Sequence, residues 1–186
     1  MKLSLPIETE RLTLRQYTDS ESDFDALFAM HSDPAVTRYL LFDPRTPDEV
    51  RESLTKRTEP LELQSDGDAV NVVVELRETG EHLGDLTLFL VSTEHQLGEI
   101  GFVFNPRFHG KGYASEAAAA LVRVAFEELG FHRVIGRCDA RNTASSALML
   151  RIGMRQEAHF VRNEFIKGEW SDELVFALLA EEWSAR

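Results

Sequence analysis

The sequence predicts a mixed α/β fold, a single domain over residues 1–186 in which helices pack on one sheet. Three observations lead there. Alternating strands and helical stripes follow one another in the order β-α-α-β-β-β-α-β-α-β-β, the pattern of a layered α/β domain. A composition of 43% hydrophobic and 28% charged residues describes an ordinary globular chain with enough apolar material for one core. No repeat, low-complexity tract or linker breaks the chain.

The elements follow in order. Thr9 to Tyr17 sets Leu12 and Leu14 against Arg11, Thr13 and Arg15, which is strand alternation. Asp19-Ser20-Glu21-Ser22 supplies capping residues, and Phe24, Leu27, Phe28 and His31 then recur at helical spacing until Pro34. His31 on that apolar face reads as a packed or capping histidine. A second helix begins after Thr46-Pro47, with Val50, Leu54 and Leu61 as its stripe, and Gln64 to Asp68 is a turn. Two strands flank the hairpin signal Glu78-Thr79-Gly80-Glu81, and a turn at Thr93 to Gln96 leads to the strand Leu97 to Asn105. A long helix, Ala114 to Leu129, buries Ala114, Ala118, Leu121, Ala125 and Leu129, with Val122 and Phe126 beside them, before Gly130 ends it. The strand HRVIGRCDA, a short helix from Asn142-Thr143 to Gly153, and strands over Arg155 to Phe165 and Trp170 to Leu179 complete the chain.

The chemistry is concentrated between the strand at Leu97 and the helix at Ala114. The intervening loop, His109-Gly110-Lys111-Gly112-Tyr113-Ala114, delivers backbone N–H groups to a helix start, and its glycines allow φ > 0 and close approach. Free N–H groups at the positive end of a helix suit a phosphate or diphosphate. Lys111 adds a point charge at the rim. The lysine is not followed by Ser or Thr, and three glycines at dinucleotide spacing are missing, so neither nucleotide fingerprint is met. A glycine turn that merely permits tight packing is the plainer alternative.

Bulk properties restrict the partners. With 20 Lys and Arg against 32 Asp and Glu, the formal charge is −12, and no basic stripe is present for nucleic acid. That charge favours cationic small molecules or basic peptide ends, or simply keeps the protein soluble. Any phosphates would then rely on local dipoles and a few cations such as Lys111 and Arg141. No apolar run reaches the ~18 residues of a membrane span. The N-terminus lacks the features of a signal peptide, and the lone Cys138 forms no disulfide framework, so a cytoplasmic location is expected. Cys138, in a strand, reads as a structural thiol.

The loop resembles the pyrophosphate loop of the GNAT acetyltransferases, Gln/Arg-x-x-Gly-x-Gly/Ala, with His109, Gly112 and Ala114 at the matching positions. His109 departs from the first of these. A register shifted to Arg107, Gly110 and Gly112 also fits but lies too early relative to the helix. The element order is that family's order as well. Pro6 to Leu40 and Gly168 to Trp183 are similar to the two ends of the branch containing bacterial ribosomal-protein N-terminal acetyltransferases, and Asn142-x-x-Ser145 followed by Gly153 is similar to its second cofactor motif.

The resemblance implies a central, mostly antiparallel, twisted sheet of about seven strands with helices on both faces. It implies direct acetyl transfer from acetyl-CoA to a primary amine, without a metal; the sequence leaves monomer and homodimer open, since exposed edges of the last strands could pair two copies but nothing demands it. The acceptor is a protein N-terminus or a small amine; no nucleic acid or membrane takes part. The cofactor residues it implies are Phe102, Val103 and Phe104 on a strand that splays from its neighbour, then His109, Gly110, Lys111, Gly112, Tyr113, Ala114 and Ser115, then Asn142 and Ser145. A strand N–H aimed at the thioester oxygen would act as an oxyanion donor.

An amine of lysine type has a pKa near 10.4, so a group must take its proton at neutral pH. Glu99, on one strand face with Gly101 and Val103, is the candidate base, or else only holds the cationic acceptor. Many relatives carry a tyrosine acid four residues before the closing glycine; Met149 stands there instead, and the Ser145 hydroxyl is the substitute. Ser145 and Asn142 read equally well as helix caps. Tyr113 is a further possible acid. Arg38, Tyr39 and Phe165 lie in regions that wall the acceptor site in relatives, with core packing the plainer reading of Phe165. The competing class is a non-catalytic acyl-CoA-binding module, which would need neither Glu99 nor Ser145.

Overall fold

In a computed structural model of the chain, residues 1–185 are described. Eight strands form one sheet: β1 (Ile7–Glu8), β2 (Leu12–Gln16), β3 (Ala69–Leu76), β4 (His82–Ser92), β5 (Leu97–Phe104), β6 (Arg133–Asp139), β7 (Arg155–Ile166) and β8 (Glu169–Leu179). Their order across the sheet is β1-β2-β3-β4-β5-β6-β8-β7. Every neighbouring pair is antiparallel except β5 and β6, which run parallel. The eighth strand relative to the expected seven is the two-residue β1.

Helices cover both faces. Along β3, Val70, Val72 and Val74 enter the larger core with α4 (Tyr113–Glu127) and α5 (Thr143–Arg151), whereas Val73 enters the smaller core with α1 (Glu21–His31) and α3 (Pro47–Arg57). Period-2 alternation therefore assigns the two helix pairs to opposite sides. β5 divides the same way: Ile100 and Phe104 face the larger core, and Val103 contacts the smaller one.

Local signals account for the helix starts. Ser20 accepts from the Asp23 N–H to cap α1, and a reciprocal capping box joins Thr46 and Glu49 at α3. Pro34 opens a further helical turn, α2 (Pro34–Thr37), because proline suits a first helical position and Asp33 caps it. Leu61 falls beyond the end of α3 at Arg57; it is buried in the larger core, and its carbonyl accepts from the Leu3 N–H. On α4 the buried positions are Ala117, Ala118, Leu121, Val122, Val124, Ala125 and Phe126, while the expected end positions Ala114 and Leu129 are half-buried. The final helix, α6 (Ala180–Ser184), completes the chain. Cys138 is half-buried, and burial pushes its thiol up to about 11, as befits a structural residue. His31 is fully buried on Phe42, with Nδ1 3.3 Å from Arg45, which makes it a packed histidine.

Candidate active site

The site begins where the sheet opens. β5 and β6 pair only through Leu97, Gly98 and Glu99 opposite Arg133, Val134 and Ile135. Beyond that point β5 stays with β4 as far as Phe104, and β6 stays with β8 as far as Asp139. The two strands part into a wedge, and Phe102, Val103 and Phe104 line one side of it. Backbone groups on facing edges of a parted ladder have no partner strand, so an extended ligand can use them.

At the mouth of the wedge a 3-10 turn over Pro106–Phe108 leads into the loop. Gly110 and Gly112 adopt φ +77 and +81, and Gly112 is the left-handed residue that launches α4. A Cβ would strain both turns. Among the described residues, the N–H groups of Gly110, Lys111, Gly112, Tyr113, Ala114 and Ser115 donate no hydrogen bond. Such a cradle fits the diphosphate of coenzyme A. His109 turns its ring back, Nε2 lying 3.1 Å from the Phe104 carbonyl oxygen, so it braces the loop against the strand. The Ser115 hydroxyl accepts from Arg151 at 3.0 Å, tying the first turn of α4 to α5.

The loop also has a support that the motif did not reveal. Arg11, in the turn between β1 and β2, donates from Nη1 to the Lys111 carbonyl (3.0 Å) and from Nε to Glu116 (2.6 Å), and lies over the Tyr113 ring. Glu116 further accepts from the Thr9 hydroxyl (2.6 Å) and the Arg11 N–H (2.9 Å). Burial works to raise the Glu116 pKa, but these donors outweigh it and hold the carboxyl below its ordinary value.

Glu99 stands at the apex of the wedge, with both carboxylate oxygens 3.1 Å from Arg137 Nε. The same guanidinium reaches Glu173 on β8 through Nη1 (3.3 Å), and Asn163 Nδ2 donates to the other Glu173 oxygen (2.7 Å). Burial, reinforced by the charge of Glu164, pushes the Glu173 carboxyl above its usual range, with Arg137 opposing. Glu99 and Glu173 thus contact the Arg137 guanidinium while Glu164 acts on it by charge rather than by contact, and Glu173 is only 6% exposed. Arg137, Glu164 and Glu173 escaped the sequence reading because they lie on three strands, β6, β7 and β8, and only the pairing of those strands brings them near one another.

The remaining candidates are dispersed. Asn142 caps α5 by accepting from the Ser145 N–H (3.1 Å), while the Ser145 hydroxyl has no hydrogen bond among the described residues. Met149 is fully buried beneath Gly136, where a Cβ would sit 2.5 Å from its sulfur, so this position is core. Arg38 and Tyr39 follow α2, with the Arg38 guanidinium over the Tyr39 ring. Phe165 is not a core residue: it is 61% exposed and meets Trp170 edge-on, in register with it. The neighbouring pair Glu164 and Ser171 projects from the opposite sheet face, because side chains alternate. Arg141, expected as a phosphate cation, is engaged by Asp139 (2.6 Å) and Glu169 (2.8 Å). Among the described residues no group of His, Cys, Asp and Glu is placed to hold a metal ion, and no helix is long and apolar enough to cross a membrane.

Comparison with known proteins bears on the same wedge and loop. The family described as "Acetyltransferase (GNAT) domain" matches residues 11–155. The N-acetyltransferase YnaD of Bacillus subtilis, itself uncharacterized, is 35% identical over 96% of this chain and 99% of its own length. A GNAT-family acetyltransferase from Bacillus anthracis, known from its crystal structure, is 34% identical, with a TM-score of 0.86 over 96% of this chain and 100% of that one. Spermidine N-acetyltransferase from Vibrio cholerae, solved with CoA and spermine, shares the fold at 21% identity and a TM-score of 0.79 over 95% of this chain and 99% of that one. A match across most of the sequence, together with a sheet parted between parallel neighbours above a glycine loop, has one explanation: the chain belongs to the GNAT acetyltransferases and is an acyltransferase.

Proposed function

We propose that this enzyme transfers acetyl from acetyl-CoA directly to a primary amine, carried by a protein N-terminus or a small molecule. The observation that carries the reading is the row of unpartnered N–H groups from Gly110 to Ser115 at the mouth of the β5–β6 wedge. These groups would hold the diphosphate, with Lys111 at the rim, while the edge of β5 at Phe102, Val103 and Phe104 aligns the pantetheine arm. Bound acetyl-CoA supplies the acyl group as a thioester.

The chain's own residues supply the rest. A β5 N–H stabilises negative charge on the carbonyl oxygen, an effect of about 3–4 kcal/mol in hydrolase examples. Glu99, Glu164 and Glu173 draw in the ammonium, since their combined charge exceeds that of Arg137. Glu173, the buried member with the raised pKa, is the best placed to take the proton. Glu99, held through both oxygens by Arg137, acts mainly in holding the cation. The unengaged Ser145 hydroxyl is the donor to the departing thiolate, because Met149 offers none. Arg38 and Tyr39 would flank the acceptor; exposed Phe165 could meet only the outer part of a larger one.

The test is mass spectrometry of amine and N-terminal peptide panels incubated with acetyl-CoA and enzyme. Acetylated product confined to amino groups is expected; acetyl-CoA binding without acetylated product from any panel would overturn the reading.

A further inference from the structure

The contacts of Arg11 have no counterpart in the loop motif, yet they engage the loop at its centre. In a trans peptide the carbonyl and the following N–H point in opposite directions. Arg11 Nη1 holds the Lys111 carbonyl oxygen at 3.0 Å, which fixes the direction of the Gly112 N–H on the other side of that peptide. The guanidinium is itself fixed, by Glu116 through Nε and by the Tyr113 ring 4.7 Å from Cζ. Glu116 is held in turn by Thr9 and by the Arg11 main chain. Glycine at 112 leaves that peptide little stiffness of its own, and its φ of +81 must be selected from a wide range.

We propose that Arg11 is a positioning residue for diphosphate recognition. It grips the Lys111 carbonyl from behind, aims the Gly112 N–H into the cradle, and neutralises Glu116, whose charge in the first turn of α4 would otherwise oppose an anion. The inference rests on the reading of the loop as the coenzyme A diphosphate site. A lysine at this position keeps the charge opposite Glu116 but lacks the planar fork that serves a carboxylate and a carbonyl together. Charge and aim can therefore be separated by substitution.

The experiment is an NMR titration of the wild type, Arg11→Met and Arg11→Lys with coenzyme A and with pantetheine, which lacks the diphosphate. The readout is the ratio of the two dissociation constants, together with the movement of the Gly112 amide resonance. The preference of the wild type for coenzyme A should fall about tenfold in Arg11→Met, the size expected for losing a hydrogen bond to a charged partner. It should fall several-fold in Arg11→Lys, and the coenzyme-induced shift of Gly112 should shrink in both. Should Arg11→Met not fold, the lysine variant carries the test alone. A ratio unchanged in the folded variants, with both ligands weakened alike or neither weakened, would overturn the proposal and leave Arg11 a structural residue. A wild type with no preference for coenzyme A would instead refute the underlying reading of the loop.

Discussion

Glu99 and Glu173 share one guanidinium but differ in environment, and the roles proposed for them rest on that difference. Both Glu99 oxygens face Arg137 Nε at 3.1 Å, so this carboxylate is engaged by a guanidinium at the apex of the wedge. Glu173 is pushed upward by burial and by Glu164, the environment in which a carboxylate is suited to take a proton. Glu173→Gln should lower kcat about 100-fold, within the range for general-base catalysis, and should remove the acidic limb of the pH–rate profile. Glu99→Gln should act mainly on the KM of the acceptor. Steady-state kinetics of the two variants checks this, and a larger kcat loss in Glu99→Gln would reverse the assignment. The sequence supplied Glu99 because strand alternation places it beside Gly101 and Val103. It could not supply Arg137 or Glu173, whose proximity exists only once β6 and β8 pair. Met149 was legible as a missing hydroxyl, but its burial beneath Gly136 was not.

At the scale of elements, the wedge depends on how the end of β5 lies on β4. Gly84, opposite Phe104, leaves room for that approach: a Cβ there would sit 2.4 Å from the Val103 carbonyl oxygen and 2.7 Å from the Phe104 ring. Backbone cannot yield as a flexible side chain does. Gly84→Ala should therefore cost about 1–3 kcal/mol of stability by overpacking and raise the KM for acetyl-CoA as the β5 edge shifts. Thermal melts with donor titrations would check it; an unaltered KM would show that the β5 edge does not align the donor. The loop glycines were legible because few residues accept φ near +80, and the strand–loop–helix order was legible from periodicity. The parting of β5 from β6 was expected only through resemblance, because no residue on either strand encodes it alone. Pro34 was legible as the limit of the first helix, which ends at His31, but not as the start of α2, because a proline that follows one helix can equally open the next.

Across the whole molecule, buried ionisable groups on the α1 side of the sheet set the response to acid. Burial lowers His31 from 6.5 to about 4, with the nearby Arg57 and Arg45 adding to it and Asp85 opposing; burial also lowers His82. For Asp23, burial acts upward, but Arg15 and Thr18 outweigh it and hold the carboxyl low. A histidine neutral when folded but protonated when unfolded makes the unfolded state bind more protons between pH 6.5 and about 4. Stability should therefore fall as pH falls through that window, by about 3 kcal/mol from His31 alone. Urea unfolding at pH 7, 5.5 and 4.5 measures it, and His31→Gln should flatten the slope if it folds. Constant stability from pH 7 to 4.5 would contradict the burial argument. The formal charge of −12 acts over a longer range and would favour the approach of any cationic acceptor to the carboxylates at the apex of the wedge.

The most direct test of the account is release of coenzyme A, followed with a thiol reagent, from acetyl-CoA in the presence of single amines and N-terminal peptides. The account predicts thiol release that depends on an amine acceptor, matches acetylated product one for one, and falls steeply in Glu173→Gln. Release that proceeds equally without any amine, or that survives Glu173→Gln at the wild-type rate, would contradict it.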